Sequence, residues 1–296
     1  MKRLLTFIMA IVLVSSLASQ AIAAAPNADN TCEQTGDGSK KLPFVICNYG
    51  DFQLVRLNPS AYFELGQDLD LSFLEWVPID SFSGVIDGNN HEILGFRGMG
   101  NGLFRRIEAG GVVKNLRIES ASIRGDSKVG AIAGLNFGII DNVEVQGTSI
   151  TGLEHVGTIA GYNNGIIRNS RTLFYVWVTT TSGGGGIVGS NDVNGVINES
   201  STDKVSIIGD ALLGGIAGVN SGKIKKSSAK GVIYAATTGP AYVGGIVGDN
   251  KIGGKVQKSE AEFNIYRRSN EFVGFVYGRN EGHVTNSTGY GQLLPY

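Results

Sequence analysis

The chain has 296 residues, of which 44 are glycine and only 6 are proline. It carries 25 Lys and Arg against 26 Asp and Glu, a formal net charge of −1. That balance argues against a nucleic-acid binder, whose affinity rests on neutralised phosphates, and the length allows a large core.

The chain opens as a targeting segment. Lys2 and Arg3 form a basic n-region, residues 4–17 are mostly apolar, and Ala21-Ile22-Ala23 fits an A-x-A cleavage site. Residues 1–23 therefore read as a signal peptide. The apolar run is short for a membrane span and no second run follows. The mature protein is expected to be exported and not membrane-spanning, with the secreted, cell-surface and periplasmic locations all open. Cys32 and Cys47 are the sole cysteines, and in an exported chain a pair reads as a disulfide. Two unpaired thiols are the alternative. The bridge would close a loop worth roughly 3 kcal/mol in the chain-entropy model. With a short helix expected near residues 51–57, residues 24–60 read as an N-terminal cap.

From there the sequence reads as strands and turns. Phe82 to Phe96 resembles one coil, and Asn101 to Leu116 another with a degraded glycine phrase. The clear repeat begins at Val129-Gly130-Ala131-Ile132-Ala133-Gly134-Leu135-Asn136 and returns at 156–163, 184–191, 213–220, 243–250 and 273–280. The steps are 27 to 30 residues, so one supersecondary unit is stacked on itself. After each phrase, Gly opens another short run rich in β-branched residues, as in Gly138-Ile139-Ile140.

Alignment on Leu116, Val143, Ser170, Ser200, Ser227 and Ser259 gives columns of like character. Two positions on lie Ile118, Val145, Thr172, Thr202, Ala229 and Ala261, all small or β-branched. Three positions on lie Glu119, Gln146, Leu173, Asp203, Lys230 and Glu262, mostly polar and expected to face water. Seven positions on lie Ile123, Ile150, Trp177, Ile207, Tyr234 and Tyr266, a candidate core column. Such columns are what parallel strands produce when stacked about 4.8 Å apart. Three short strands per repeat then make one coil of a parallel β-helix with about eight coils over residues 61–288, leaving 289–296 as a thinly protected C-terminal tail. Asn136, Asn163, Asn191, Asn220, Asn250 and Asn280 would stack at one corner as an amide ladder.

These residues resemble the bacterial GLUG-motif repeat family. So do Phe63-Glu64-Leu65-Gly66-Gln67-Asp68-Leu69-Asp70, Trp76-Val77-Pro78-Ile79 and Phe82-Ser83-Gly84-Val85-Ile86-Asp87-Gly88, which look like the segment preceding such repeats. The resemblance runs from about Pro43 to Thr288. It implies a right-handed parallel β-helix on exported, often adhesin-like surface proteins. Related repeats also accompany immunoglobulin-A-cleaving metallopeptidases. Fold alone does not carry activity.

The chemistry can be tested on residues. A zinc peptidase helix needs two histidines on one face. His91-Glu92-Ile93-Leu94-Gly95 lacks the second, and His155 and His283 stand far away in sequence. A polysaccharide lyase or hydrolase needs clustered carboxylates. Asp68 and Asp70 read as strand-end residues, and Asp87, Asp141, Asp192 and Asp249 fall at different repeat positions. Gly183 to Gly186 is a repeat variant without the Lys-Ser/Thr of a phosphate loop. Thr179 to Thr181 and Thr237-Thr238 are too few for a threonine ice-binding face.

No catalytic or metal residue and no cofactor are therefore expected. Binding is sought on irregular loops at 192–194, 235–242, 251–253 and 267–272. The candidate ligand contacts are Asp192, Asn194, Tyr242, Lys251, Arg267 and Arg268, with Tyr175 expected to point away from Trp177. The expected function is a non-enzymatic binding or adhesion module for an extracellular glycan or surface protein. A polysaccharide-active enzyme and a structural spacer are the alternatives.

Overall fold

The computed structural model describes residues 32–236, 241–268 and 272–295. The expected signal peptide and Thr237-Thr238 lie outside these residues. The described chain is a parallel β-solenoid of about eight turns. Every strand pairing is parallel, and partners lie one turn apart in sequence.

One turn shows the plan. The strand Ile139–Gln146 bends at Asn142, so it supplies two strips. Ser149–Thr151 and Glu154–Gly157 follow on the same wrapped sheet. Ala160–Asn163 then belongs to a separate sheet of seven strands, from Phe104–Ile107 to Tyr277–Asn280. This turn thus has four strands, not the three expected, because the glycine phrase itself contributes two. Its first half joins the large sheet, and its second half joins the small one.

The glycines of the phrase let these two layers touch through their backbones. A Cβ on Gly161 would lie 2.2 Å from the carbonyl carbon of Lys128, and one on Gly157 would lie 2.4 Å from the oxygen of Ala160. No side chain fits there. Val129, Ile132 and Ala133 fill the space beside the glycines and are fully buried.

The interior is built from in-register columns. Ile86, Val113, Ile140, Ile167, Ile197, Ile224 and Val256 stack on one another. Each is buried, a gain of roughly 1.5–3 kcal/mol per side chain. The small-residue column from Ile118 to Ala261 stacks as a column and is buried as well.

The seven-position column is correct at Ile123, Ile150 and Ile207 but wrong at Trp177, Tyr234 and Tyr266. The buried partners there are Val178, Ile233 and Ile265. The reason is a corner of variable length. Ile150 lies five positions after its small residue Val145, but Val178 lies six after Thr172, and Ile233 lies four after Ala229. A fixed count cannot follow that change.

Two columns hold the corners. Asn136 Nδ2 donates to Asn163 Oδ1 at 2.7 Å, and the relay passes through Asn191, Asn220 and Asn250 to Asn280. A second ladder uses serine. The N–H of Ser170 donates to Ser200 Oγ, that of Ser200 to Ser227 Oγ, and that of Ser227 to Ser259 Oγ. Each of these hydroxyls also donates to the carbonyl two residues before it. The residue preceding each serine or its equivalent turns the corner at positive φ, from Asn115 at 52° to Lys258 at 51°.

The solenoid is longer than expected at both ends. Phe44–Ile46 already pairs with Tyr62–Leu65, so the first rung lies inside the region expected to be cap. Thr288–Pro295 pairs in register with Glu260–Arg267, so the expected tail is a rung. Cys32 and Cys47 form a disulfide. One-turn helices at Tyr49–Phe52 and Leu54–Leu57 bury Phe52 and Val55 over the N-terminal end, and Phe52 stacks on Trp76 at 5.0 Å.

Candidate functional site

The third strip carries outward aromatic residues on the turns of Trp177, Tyr234 and Tyr266. Two consecutive residues, Phe174 and Tyr175, take positive φ of 38° and 56°. They accommodate the extra residue of that corner and reset the alternation that follows. Val176 and Val178 then point inward, and Trp177 points outward. Tyr175 is 66% exposed and Trp177 is 43% exposed. Their rings stack with centroids 6.3 Å apart. The expectation that they point to opposite faces is overturned: residues two apart lie on one side of an extended chain, and both rings point to solvent.

Trp177 stands in register between Ser149 and Ser206. Thr179, two residues on, aligns with Ile208, then Tyr234, then Tyr266. Tyr234 and Tyr266 stack at 4.9 Å with planes 16° apart. Two aromatic pairs thus share one outward sheet face, and Tyr234 lies two rungs, about 10 Å, beyond the rung of Trp177. Phe174 at its margin carries Lys204 Nζ 5.2 Å above its ring. Trp177, Tyr234 and Tyr266 sit on strands paired on both sides, and Tyr175 stands at the corner just before Val176–Gly185. Arg124, Thr151, Thr179, Ile208, Tyr234 and Tyr266 occupy successive rungs, so no threonine array forms.

The other candidate residues separate into two places. The outward side of the seven-stranded sheet holds Asp192, Tyr242 and Lys251. Tyr162 donates its hydroxyl to Asp192 Oδ2. Burial and then that carboxylate push the Tyr162 phenol up to about 12. Asp249, fully buried, accepts from Arg279 Nε at 2.9 Å and pairs with Lys251 Nζ at 2.6 Å. Burial alone would raise its carboxyl, but the hydrogen bonds from Arg279 and Lys251 outweigh it and hold it below the usual range. The Arg279 guanidinium lies 4.3 Å from the Tyr242 ring, and Tyr242 meets Phe272 at 4.9 Å. Asn194 uses its backbone N–H on Asn164 Oδ1. These contacts are internal: Asp192 and Tyr242 bridge to neighbouring turns, and Lys251 pairs within its own turn. Arg267 and Arg268 lie apart from them at the end of Glu260–Arg267, with Arg267 in register with Ala235 and Pro295.

The acids are similarly engaged. Asp87 meets Lys114 and Asn115, and Asp141 meets Arg168 and Asn169. Asp68 meets His91 and the N–H of Glu92, and Asp70 accepts from the N–H of Ser72. His155 stands half-buried at a left-handed corner, where burial lowers its pKa below the ordinary imidazole value. Among the described residues no group of three His, Cys, Asp or Glu side chains is placed to hold a metal. No helix among them is long and apolar enough to cross a membrane.

Comparison with known proteins supports the class that this geometry defines, a parallel β-solenoid. No family model matches the chain. It is 32% identical over 160 residues to a protein of Evansella cellulosilytica named "Putative Gly-rich membrane protein", covering 47% of this chain and 18% of that protein. It is 28% identical over 123 residues to "Halomucin" of Haloquadratum walsbyi, covering 36% of this chain and 1% of that protein. The chain thus spans under a fifth of the length of these curated relatives. Among solved structures it resembles one described as "a putative immunoglobulin A1 protease from Bacteroides ovatus", with a TM-score of 0.66 and 22% identity over 86% of each chain. It also resembles "IgA1 Protease", with a TM-score of 0.54 and 15% identity over 84% of this chain and 21% of that one. At these identities the likeness is one of fold.

Proposed function

We propose that this protein is an exported, non-catalytic binding module of the GLUG-repeat type. In this reading it presents the aromatic face around Tyr175 and Trp177 to a glycan or to a surface protein. The observation that carries the proposal is the exposed Tyr175–Trp177 stack on a rigid rung, with Tyr234 and Tyr266 further along the same face. Exposed rings set on a flat sheet match the apolar faces of sugar rings, and amphipathic aromatics anchor protein interfaces as well. The acids named above are committed to lysine, arginine, histidine, amide, tyrosine or backbone partners, which favours binding over acid–base chemistry. A disulfide belongs to an oxidising compartment, which supports export.

A glycan array probed with the wild-type protein and with Trp177→Ala tests the reading. Binding lost in the variant, with no ligand turnover in either protein, is the expected result. Equal binding by the two proteins would remove the aromatic face from the proposal, and turnover of any glycan would replace binding by catalysis.

A further inference from the structure

The first strip of each turn changes character along the solenoid. In the earlier turns its outward cations stand beside acids on the neighbouring rung. Lys114 Nζ lies 2.7 Å from Asp87, and Arg168 Nη2 lies 2.8 Å from Asp141. In the later turns the outward positions hold Lys223, Lys225 and Lys255, and the corner holds Lys226 and Lys258. Lys223 and Lys255 are direct register partners. Like charges on adjacent strands repel. Glu199 compensates Lys226 at 2.9 Å. Among the described residues Lys223, Lys225, Lys255 and Lys258 make no ion pair. The chain as a whole is slightly acidic, so the cluster is not a by-product of composition.

The corner beside these lysines is also strained. In earlier turns it is Asn115, Asn142 and Asn169, which tolerate the left-handed region. In later turns it is Glu199, Lys226 and Lys258, with φ of 51°, 50° and 51°. Longer side chains cost more there, and such costs concentrate where a surface is used. An open pocket of about 420 Å³ lies at this corner. Lys226 and Lys258 line it together with Ser228, Asn286, Thr288 and the single acid Glu260.

We propose that this lysine strip is a docking surface for an acidic polysaccharide bearing uronate or sulfate groups. The rungs repeat every 4.8 Å or so, about the length of one sugar unit, so successive anionic groups can meet successive lysines. The pocket offers hydroxyl, amide and ammonium groups, which match sugar hydroxyls and carboxylates. It has no aromatic ring on which a nucleic-acid base would stack, and this favours the polysaccharide. The strip is separate from the aromatic face and does not depend on ligand binding there.

The test measures retention of the purified protein by affinity electrophoresis in polygalacturonate, dextran sulfate and neutral dextran, at low and high salt. A single-stranded oligonucleotide competes in parallel. The expected result is salt-sensitive retention by one or both acidic polymers and none by neutral dextran, the two acidic gels telling uronate from sulfate. Lys223→Gln with Lys255→Gln weakens retention about tenfold. Relief of the Lys223–Lys255 repulsion keeps or raises the thermal midpoint, and the pair Lys225→Gln with Lys258→Gln gives a second reading. Absence of retention at low salt, equal retention of wild type and both double variants, or tighter binding of the oligonucleotide would overturn the proposal.

Discussion

Asn163 donates through Nδ2 to Oδ1 of Asn191 at 2.8 Å, and both side chains are fully buried. Asn191 in turn donates to Asn220 at the same distance. Each interior asparagine is therefore donor to one neighbour and acceptor from the other. Asn191→Ala leaves the Asn163 amide without its acceptor and the Asn220 carbonyl without its donor, in a place water does not reach. The expected cost is about 2–3 kcal/mol, read by urea unfolding. Asn280, at the exposed end of the ladder, can turn to solvent. Asn280→Ala should cost less than half as much. Equal losses at the two sites would mean that the ladder is not the source of the stability.

The glycines make a sharper steric prediction. A Cβ at position 161 meets the backbone of the preceding turn at 2.2 Å, and backbone cannot rotate away. Gly161→Ala must separate the two layers over at least one turn, and a loss of about 3 kcal/mol or more is expected. At Gly253 a Cβ meets nothing within 4 Å, although φ is 86°. Gly253→Ala should cost only the backbone term, about 1 kcal/mol. Thermal denaturation of the two variants separates close packing from backbone freedom. If Gly253→Ala proved the worse, close packing would not be what those glycines serve.

How much of this could be read in advance depended on the element. The glycine–asparagine phrase recurs at fixed offsets, so the stack and the column of Asn136 to Asn280 were legible, as were the Ile118-to-Ala261 column and the helical segment around residue 51. Corner lengths were not legible. One residue more at Phe174-Tyr175 and one fewer after Ala229 moved Trp177, Tyr234 and Tyr266 from the expected core to the surface. Local composition does not record which corner absorbs an insertion. The serine ladder was hidden for a related reason, since a buried hydroxyl bonded along the stack looks like any polar turn residue. Tyr175 was legible as an exposed ring, but its partner was not, because the fixed count placed Trp177 in the core column that Val178 occupies. Asp192, Tyr242 and Lys251 were singled out as loop residues, yet Asp192 and Tyr242 are turned toward neighbouring turns and Lys251 onto Asp249. The lysine strip required knowing which outward residues share a rung.

Asp249 gives a pH dependence with a definite sign. Its folded pKa is lowered, with the bonds from Arg279 and Lys251 outweighing burial. A carboxyl with a depressed folded pKa contributes stability that is present above its unfolded value and lost as pH falls through the folded one. The window therefore opens below about pH 4 and extends downward. Arg279 and Lys251 remain about a third exposed and can rehydrate, which limits the loss. Asp249→Asn should be about 1–3 kcal/mol less stable than wild type at neutral pH. That gap should shrink as both proteins are acidified through the window. Thermal midpoints measured from pH 7 down to 3 check this. A gap that stayed constant would assign the stability to packing and not to charge.

The register at Trp177 separates stability from binding at neighbouring residues. Val178 is fully buried and aligned with Ile150 and Ile207, so Val178→Ala removes core volume. A loss of about 2 kcal/mol is expected. Trp177 stacks on Tyr175 and leaves 43% of its surface to solvent, so Trp177→Ala should cost about 1 kcal/mol or less. Fluorescence gives an independent check, because the chain has two tryptophans and Trp76 is buried with its Nε1 donating to Leu103. Iodide should quench one component of the native emission and spare the other, and Trp177→Ala should delete the quenchable one. If Trp177→Ala unfolded the protein while Val178→Ala did not, the two residues would have exchanged faces, and the aromatic surface would lose its centre.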